Sequence, residues 1–268
     1  LHGLILALRR GFDQYVCQRP CYLYQGVTSP LIGKKAGDID LVVIRENTEG
    51  EYADAGGNIY ADKENEVAIQ TAVFTRHGTE RIMRELARKR NNKKKVSSIT
   101  KSNAQRHSMT FWDRVFSEVT SDYPDIETES VLIDAACMDF VRQPESFDVV
   151  VSSNLFGDIL SEIGAIVTGT IGLGPSANIN PERIFPSMFE PSHGSAPDIA
   201  GRGIANPLAT ILSAAMMLEH FGEEKAAEKI NQSVAQVLAQ GKVLTPDLNG
   251  KATTSEVGEA VVRQLTEY

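Results

Sequence analysis

Two periods alternate in the apolar residues of this chain. Short β-branched or apolar runs at Asp40–Ile44, Glu66–Phe74, Val96–Thr100 and Ile126–Ile133 have the length and composition of strands, and Val149, Val150 and Val151 read as a parallel strand buried on both faces. Between and after them, apolar residues recur three and four apart. Residues 79–90 set Ile82, Met83, Leu86 and Ala87 on one helix face, and residues 223–240 set Ala226, Ile230, Val234, Val237 and Leu238 on another. The stretch Pro207–Phe221 is apolar nearly all round, which predicts a helix buried in a core or a subunit interface. Thr253 with Glu256 makes a capping box for the last helix. The opening LHGLILALRR reads as an amphipathic or buried helix that begins mid-turn with nothing to cap it, so the expectation is that the chain has lost its natural beginning. Strands alternating with helices make this an α/β chain.

The polar residues gain meaning from where this pattern puts them. After the valine strand comes SNLFGDILSE (153–162), in which Asn154–Gly157 reads as a turn and Asp158 and Glu162 share one helix face. Two carboxylates so placed suit a hard divalent cation, and equally an acidic pair on a solvated helix. Arg45 begins RENTEGEY at the end of the strand from Asp40, with Tyr52 as a candidate proton donor; Lys101 follows the strand ending at Thr100, with Ser102 and Asn103 placed to cap a helix; Asp134 closes Ile126–Ile133. Arg45, Lys101, Asp134 and Asp158 therefore all lie just beyond apolar strands, the edge where α/β sheets gather ligands. Arg9 on the first helix and Arg19 in a loop closed by Pro20 offer guanidinium forks for a carboxylate, or surface charge only. Glu190–Gly201, EPSHGSAPDIAG, combines small residues that admit a ligand to the backbone with Asp198, able to accept hydrogen bonds from ribose hydroxyls. The glycine-rich stretch 168–180 carries neither the dinucleotide fingerprint GxGxxG nor a phosphate-binding P-loop.

Composition narrows the class of partner. With 268 residues, 42% of them hydrophobic, the chain can bury one large core or two moderate ones, and its net charge of −8 argues against nucleic acid. The basic run Arg88–Lys95 is explained as a solvated helix end, where cations are favoured. No apolar run spans a membrane. Cys17, Cys21 and Cys137 form no CxxC pair, which points to buried thiols and a reducing cytoplasm.

RENTEGEY (45–52), SNLFGDILSE (153–162) and HGSAPDIAGRGIANP (193–207), in this order, resemble the NAD-dependent β-decarboxylating dehydrogenases, the family of isopropylmalate, isocitrate and tartrate/D-malate dehydrogenases. The resemblance covers essentially the whole chain. GDIDLVVIRENTEGEY, FDQY and GPSANINPERIFPSMFEP are most similar to the tartrate/D-malate branch. It implies an isopropylmalate-dehydrogenase-like two-domain fold with the site in the cleft: residues 15–168 as the small domain with the dimer contacts, residues 1–14 and 169–268 as part of the large, cofactor-side domain, and the family's opening βα units absent from this chain.

Roles follow by the same resemblance. Arg9, Arg19 and Arg45 match the arginines that hold substrate carboxylates, with Gly3, Ile5 and Leu6 facing the substituent on C3. Tyr52 and Lys101 match an acid/base pair. Asp134, Asp158 and Glu162 match the metal-binding acids, although the family usually has aspartate at the position of Glu162, whose extra methylene moves the charge. Glu190, His193, Gly194, Ser195, Ala196, Pro197, Asp198 and Asn206 match the adenosine-side cofactor loop, and Asp198 favours NAD over NADP because a carboxylate repels a 2′-phosphate. The cofactors implied are NAD and Mg²⁺ or Mn²⁺, with a monovalent cation as a further candidate. Lys101 and Asp134 would come from the second subunit of a homodimer. The implied reaction is oxidation of a 2-hydroxy dicarboxylic acid, tartrate or D-malate, with loss of the β-carboxylate where the keto acid permits it. Apolar Ile5 and Leu6 also keep 3-isopropylmalate open as substrate. From a different class, an inactive or regulatory paralogue would keep only the assembly surface.

Overall fold

The computed structural model describes residues 3–89 and 95–266. Helix α1 (Ile5–Gly11) leads into strand β1 (Val16–Tyr22), which pairs antiparallel with β2 (Asp40–Glu46), Val16 opposite Glu46. A separate hairpin follows, β3 (Gly56–Ile59) with β4 (Val67–Gln70). Next come α2 (Arg76–Lys89), β5 (Lys95–Thr100), α3 (Ser108–Thr120), β6 (Glu127–Leu132), α4 (Ile133–Arg142), β7 (Val149–Ser152) and α5 (Asn154–Val167). Strands β8 (Pro175–Ile179) and β9 (Met188–Pro191) and helices α6 (Leu208–His220), α7 (Glu224–Gln240) and α8 (Thr254–Thr266) complete the described elements.

One seven-stranded sheet organises them, in the order β6-β5-β7-β2-β1-β8-β9. The first four strands are parallel and the last three are joined antiparallel. Parallel neighbours need helical crossovers, and those helices cover the faces: β7 is buried at every position, with both α2 and α5 packed against it. A main apolar core runs from Tyr15 to Ile179 around Trp112, Phe140 and Val149–Val151, and a second, of Leu208, Leu212, Val234, Val237, Leu238 and Val261, lies among α6, α7 and α8. Because β2, β5, β6 and β7 share a direction, their C-terminal ends meet on one edge, with Arg45 and Lys101 at the ends of β2 and β5 and Asp134 and Asp158 in the helices that follow β6 and β7.

Several local expectations are corrected. Arg19 and Pro20 lie inside β1 rather than in a loop. Proline is accepted there because β8 pairs only with Val16–Gln18, leaving that side of Pro20 without a ladder partner. Asn154–Gly157 is the first turn of α5, since a side chain from elsewhere caps it (below). Ser102 and Asn103 do not cap α3, which begins at Ser108 after a turn closed on the Lys101 carbonyl. On α6 only one face is buried, through Leu208, Ala209, Leu212 and Ala215, and Phe221 just beyond it is exposed. On α7 the stripe turns by one residue, burying Ala227 and exposing Ala226. The capping box is present, the Thr253 N–H and Oγ1 both bonded to Glu256 Oε2 (2.7 and 2.9 Å). Most of the basic run at Arg88–Lys95 lies outside the described residues.

Candidate active site

The site begins with a charge that cannot reach water. Arg45 is 1% exposed at the end of β2, so its guanidinium must be paired within the protein. Asn154 Oδ1 accepts from Arg45 Nε (3.0 Å) and Nη2 (2.6 Å), and Nη1 donates to Asp158 Oδ1 in a short ion pair. Arg19, reaching across from β1, donates through Nη1 to Ser161 Oγ (2.8 Å), Asp158 (3.2 Å) and Glu162 (3.4 Å), so it straddles both carboxylates. Tyr52 donates its hydroxyl to Asp158 Oδ2 at 2.9 Å.

These contacts set the protonation states. Burial alone would raise the Asp158 carboxyl, but Arg45 and Arg19 outweigh it and hold the group below the usual carboxylate range, hence ionised. Burial raises Glu162, a rise that Arg19 opposes and Asp158 reinforces, and His193 is close enough to act on it too. Burial, and then the hydrogen bond to Asp158, keep the Tyr52 phenol protonated above its ordinary range.

Segments far apart in the chain hold this cluster rigid. Glu51 accepts from Ser153 Oγ (2.7 Å) and the Leu155 N–H (3.1 Å), capping α5, while Asn154 Nδ2 donates to the Glu49 carbonyl (3.0 Å). RENTEGEY and SNLFGDILSE are thus stitched together, fixing Tyr52 against Asp158. Arg10 donates to the Tyr52 carbonyl. Glu51, Asn154 and Arg10 were not singled out from the sequence. The first two lie inside the motifs, which was the available signal; nothing marked Arg10.

Other predicted residues sit apart. Lys101 Nζ pairs with Asp134 Oδ1 at 2.6 Å, a contact that lowers the Asp134 carboxyl. β6 and β7 are separated by β5, so the helices that carry Asp134 and Asp158 begin from strands that are not neighbours in the sheet. Among the described residues no three His, Cys, Asp or Glu side chains converge as a metal-binding group. Leu6 is buried on α1 and Ile5 half-buried. Gly194, Ser195, Ala196, Pro197 and Asp198 form an exposed loop after β9, and Asn206 spends both ends of its amide, on Asp247 (3.0 Å) and on the Leu208 N–H (3.0 Å) at the start of α6. Glu190 pairs with Arg9 at 3.2 Å.

The model of the isocitrate/isopropylmalate dehydrogenase family matches residues 2–261. The chain belongs to that family. It is 52% identical over 98% of its length to the D-malate dehydrogenase [decarboxylating] of Escherichia coli (strain K12), spanning 74% of that protein. To the tartrate dehydrogenase/decarboxylase of Pseudomonas putida it is 50% identical over 97% of its length, spanning 73% of that protein. Its fold matches the crystal structure of isocitrate dehydrogenase from Methylococcus capsulatus with a TM-score of 0.91 at 40% identity, covering 98% of this chain and 76% of that one. Membership of the tartrate/D-malate branch makes it a relative of decarboxylating dehydrogenases, which supports an enzyme of oxidative decarboxylation. Among the described residues no helix is long and apolar enough to cross a membrane.

Proposed function

We propose that the protein oxidises a 2-hydroxy dicarboxylic acid, D-malate or tartrate, with NAD⁺ and Mg²⁺ or Mn²⁺, and decarboxylates the keto acid, in a site completed by a second copy of the chain. The observation that carries this is the cluster Arg19, Arg45, Tyr52, Asp158 and Glu162 on the C-terminal edge of the parallel strands. Arg9 keeps a buried Nε–H without a hydrogen-bond partner among the described residues, a donor left over after its pairing with Glu190.

The donor set fits a hard cation: Asp158 and Glu162 offer two carboxylates, and Arg45 and Arg19 hold the Asp158 group ionised. Asp158 and Glu162 would hold the metal with Asp134 of the partner subunit, because in its own chain Asp134 sits two strands away. When bound, the metal supplies Lewis-acid polarisation of the 2-oxygen, and NAD⁺ accepts the hydride. Lys101, arriving with Asp134, takes the hydroxyl proton, the arginines orient the diacid, and protonated Tyr52 delivers a proton to C3 after carbon dioxide leaves. His193–Asp198 would hold the adenosine end of NAD, a role for which the exposed backbone of Gly194–Asp198 leaves room.

A second copy is supported by apolar surface. The hairpin β3–β4 is exposed along its whole length, Ile59, Val67 and Ile69 included, and an isolated hairpin is marginal in water. Met138, Val141, Ile159 and Ile166 are likewise exposed on the adjoining helices α4 and α5. The smaller, subunit-contacting domain is then residues 15–168, which hold most of the main core. The test is NADH production from D-malate, tartrate, 3-isopropylmalate and isocitrate, each with Mn²⁺ and with EDTA. D-malate or tartrate should turn over only with metal, and Lys101→Ala should lose turnover while still binding NAD. Turnover in EDTA, or full activity of Lys101→Ala, refutes the reading.

A further inference from the structure

Glu190 stands in the motif that the family resemblance attaches to the cofactor, yet its contacts run the other way. Its Oε1 accepts two hydrogen bonds, from Arg9 Nη2 at 3.2 Å and from Asn178 Nδ2 at 2.9 Å. Asn178, fully buried on β8, accepts in turn from Asn47 Nδ2 at 2.9 Å, and that same amide donates to the Gln14 carbonyl at 3.1 Å. The chain of bonds therefore runs from the end of β2, through β8 and β9, to the guanidinium on α1. Arg9, Asn47 and Asn178 are buried, the last two at 1% and 0% exposure, while the Glu190 side chain keeps 26% exposure, so the network is dry at its asparagine end and opens towards solvent at Glu190.

A buried arginine whose side chain has several rotatable bonds is a precise carboxylate receptor only if something fixes its plane. Arg9 projects from a helix of just two turns, and its sole ion pair among the described residues is with Glu190. We propose that Glu190 is a positioning residue for Arg9, acting on binding of the dicarboxylic acid and not on the cofactor. Asn178 and Asn47 are the struts that aim Glu190. This rests on the reading that Arg9 receives a substrate carboxylate.

The test is steady-state kinetics on the intact protein with D-malate, NAD⁺ and Mn²⁺, with KM measured for each substrate in turn. Glu190→Ala removes the shared acceptor and frees the Arg9 side chain, so KM for D-malate should rise by about tenfold or more while KM for NAD⁺ stays within about twofold. Glu190→Gln is isosteric and keeps an oxygen for both donors while removing the anion that competes for Arg9. KM for D-malate should then fall by about threefold, again with KM for NAD⁺ unmoved. If Glu190→Ala does not fold, Glu190→Asp, which keeps the charge and withdraws the acceptor by one methylene, should raise KM for D-malate in the same way with KM for NAD⁺ unmoved. A rise in KM for NAD⁺ with KM for D-malate unchanged, or no change in either, overturns the assignment. No turnover by the wild-type protein with any of the four hydroxy acids would instead sink the functional reading.

Discussion

Gly157 offers a sharp test because two physical effects predict opposite signs. It sits inside α5, where replacing glycine by alanine at an open position stabilises a helix by about 1 kcal/mol. Here the position is closed: a Cβ would lie 2.5 Å from Ser152 Oγ, 2.7 Å from Arg45 Cβ and 2.9 Å from Arg45 Cγ. None of these atoms can yield freely, since Ser152 is in the buried strand β7 and Arg45 is locked to Asn154 and Asp158. Overpacking of this kind costs about 1–3 kcal/mol, which offsets the propensity gain and leaves a net loss of up to about 2 kcal/mol. The displaced group would be the guanidinium that holds Asp158, so kcat/KM for the diacid should fall by about tenfold or more, as a small misplacement of reacting groups can produce. Gly258 in α8 is the control, because a Cβ there meets nothing within 4 Å. Gly258→Ala should gain about 0.5–1 kcal/mol and leave kinetics alone. Urea denaturation of the three proteins at one pH reads the stabilities. A Gly157→Ala protein at least as stable as the wild type, with unchanged kcat/KM, would refute the argument that the absent side chain admits Arg45 to the site.

Asn154→Ala should lose about 1–3 kcal/mol in the same denaturation experiment, because it strips two of the three hydrogen bonds from a fully buried guanidinium; a change below about 0.5 kcal/mol would show that Arg45 finds another acceptor. The arginines hold the Asp158 carboxyl below its ordinary value of 3.8, so the cluster's contribution to stability is complete above that pH and is lost as the pH falls through the lower folded value. Asp158→Asn should accordingly flatten the acid limb of stability below about pH 4, and an unchanged limb would remove the group from the linkage. Arg19 and Arg45 now neutralise Asp158 and Glu162, so a diacid alone leaves the acids unpaired and a cation alone leaves the arginines unpaired. Calorimetry should show D-malate affinity rising about tenfold or more with Mn²⁺ present, and equal affinities would exclude that exchange of partners.

The sequence by itself determined the alternation of strands and helices, the buried valine strand, the capping box on the last helix, and the placing of Arg45, Lys101, Asp134 and Asp158 at or beyond the C-terminal ends of strands. Each of these follows from periods of two or 3.6 residues, or from contacts three residues apart, which a linear reading can see. Only the tertiary structure decided which tips adjoin, that Lys101 meets Asp134 rather than the Asp158 cluster, that Glu51 caps a helix 104 positions away, and that Glu190 grips an arginine 181 positions away. It also moved Pro20 into a strand, because that depends on where β8 stops pairing. Such pairings are fixed by strand order and by the need to satisfy buried charge, and neither leaves a period in the chain.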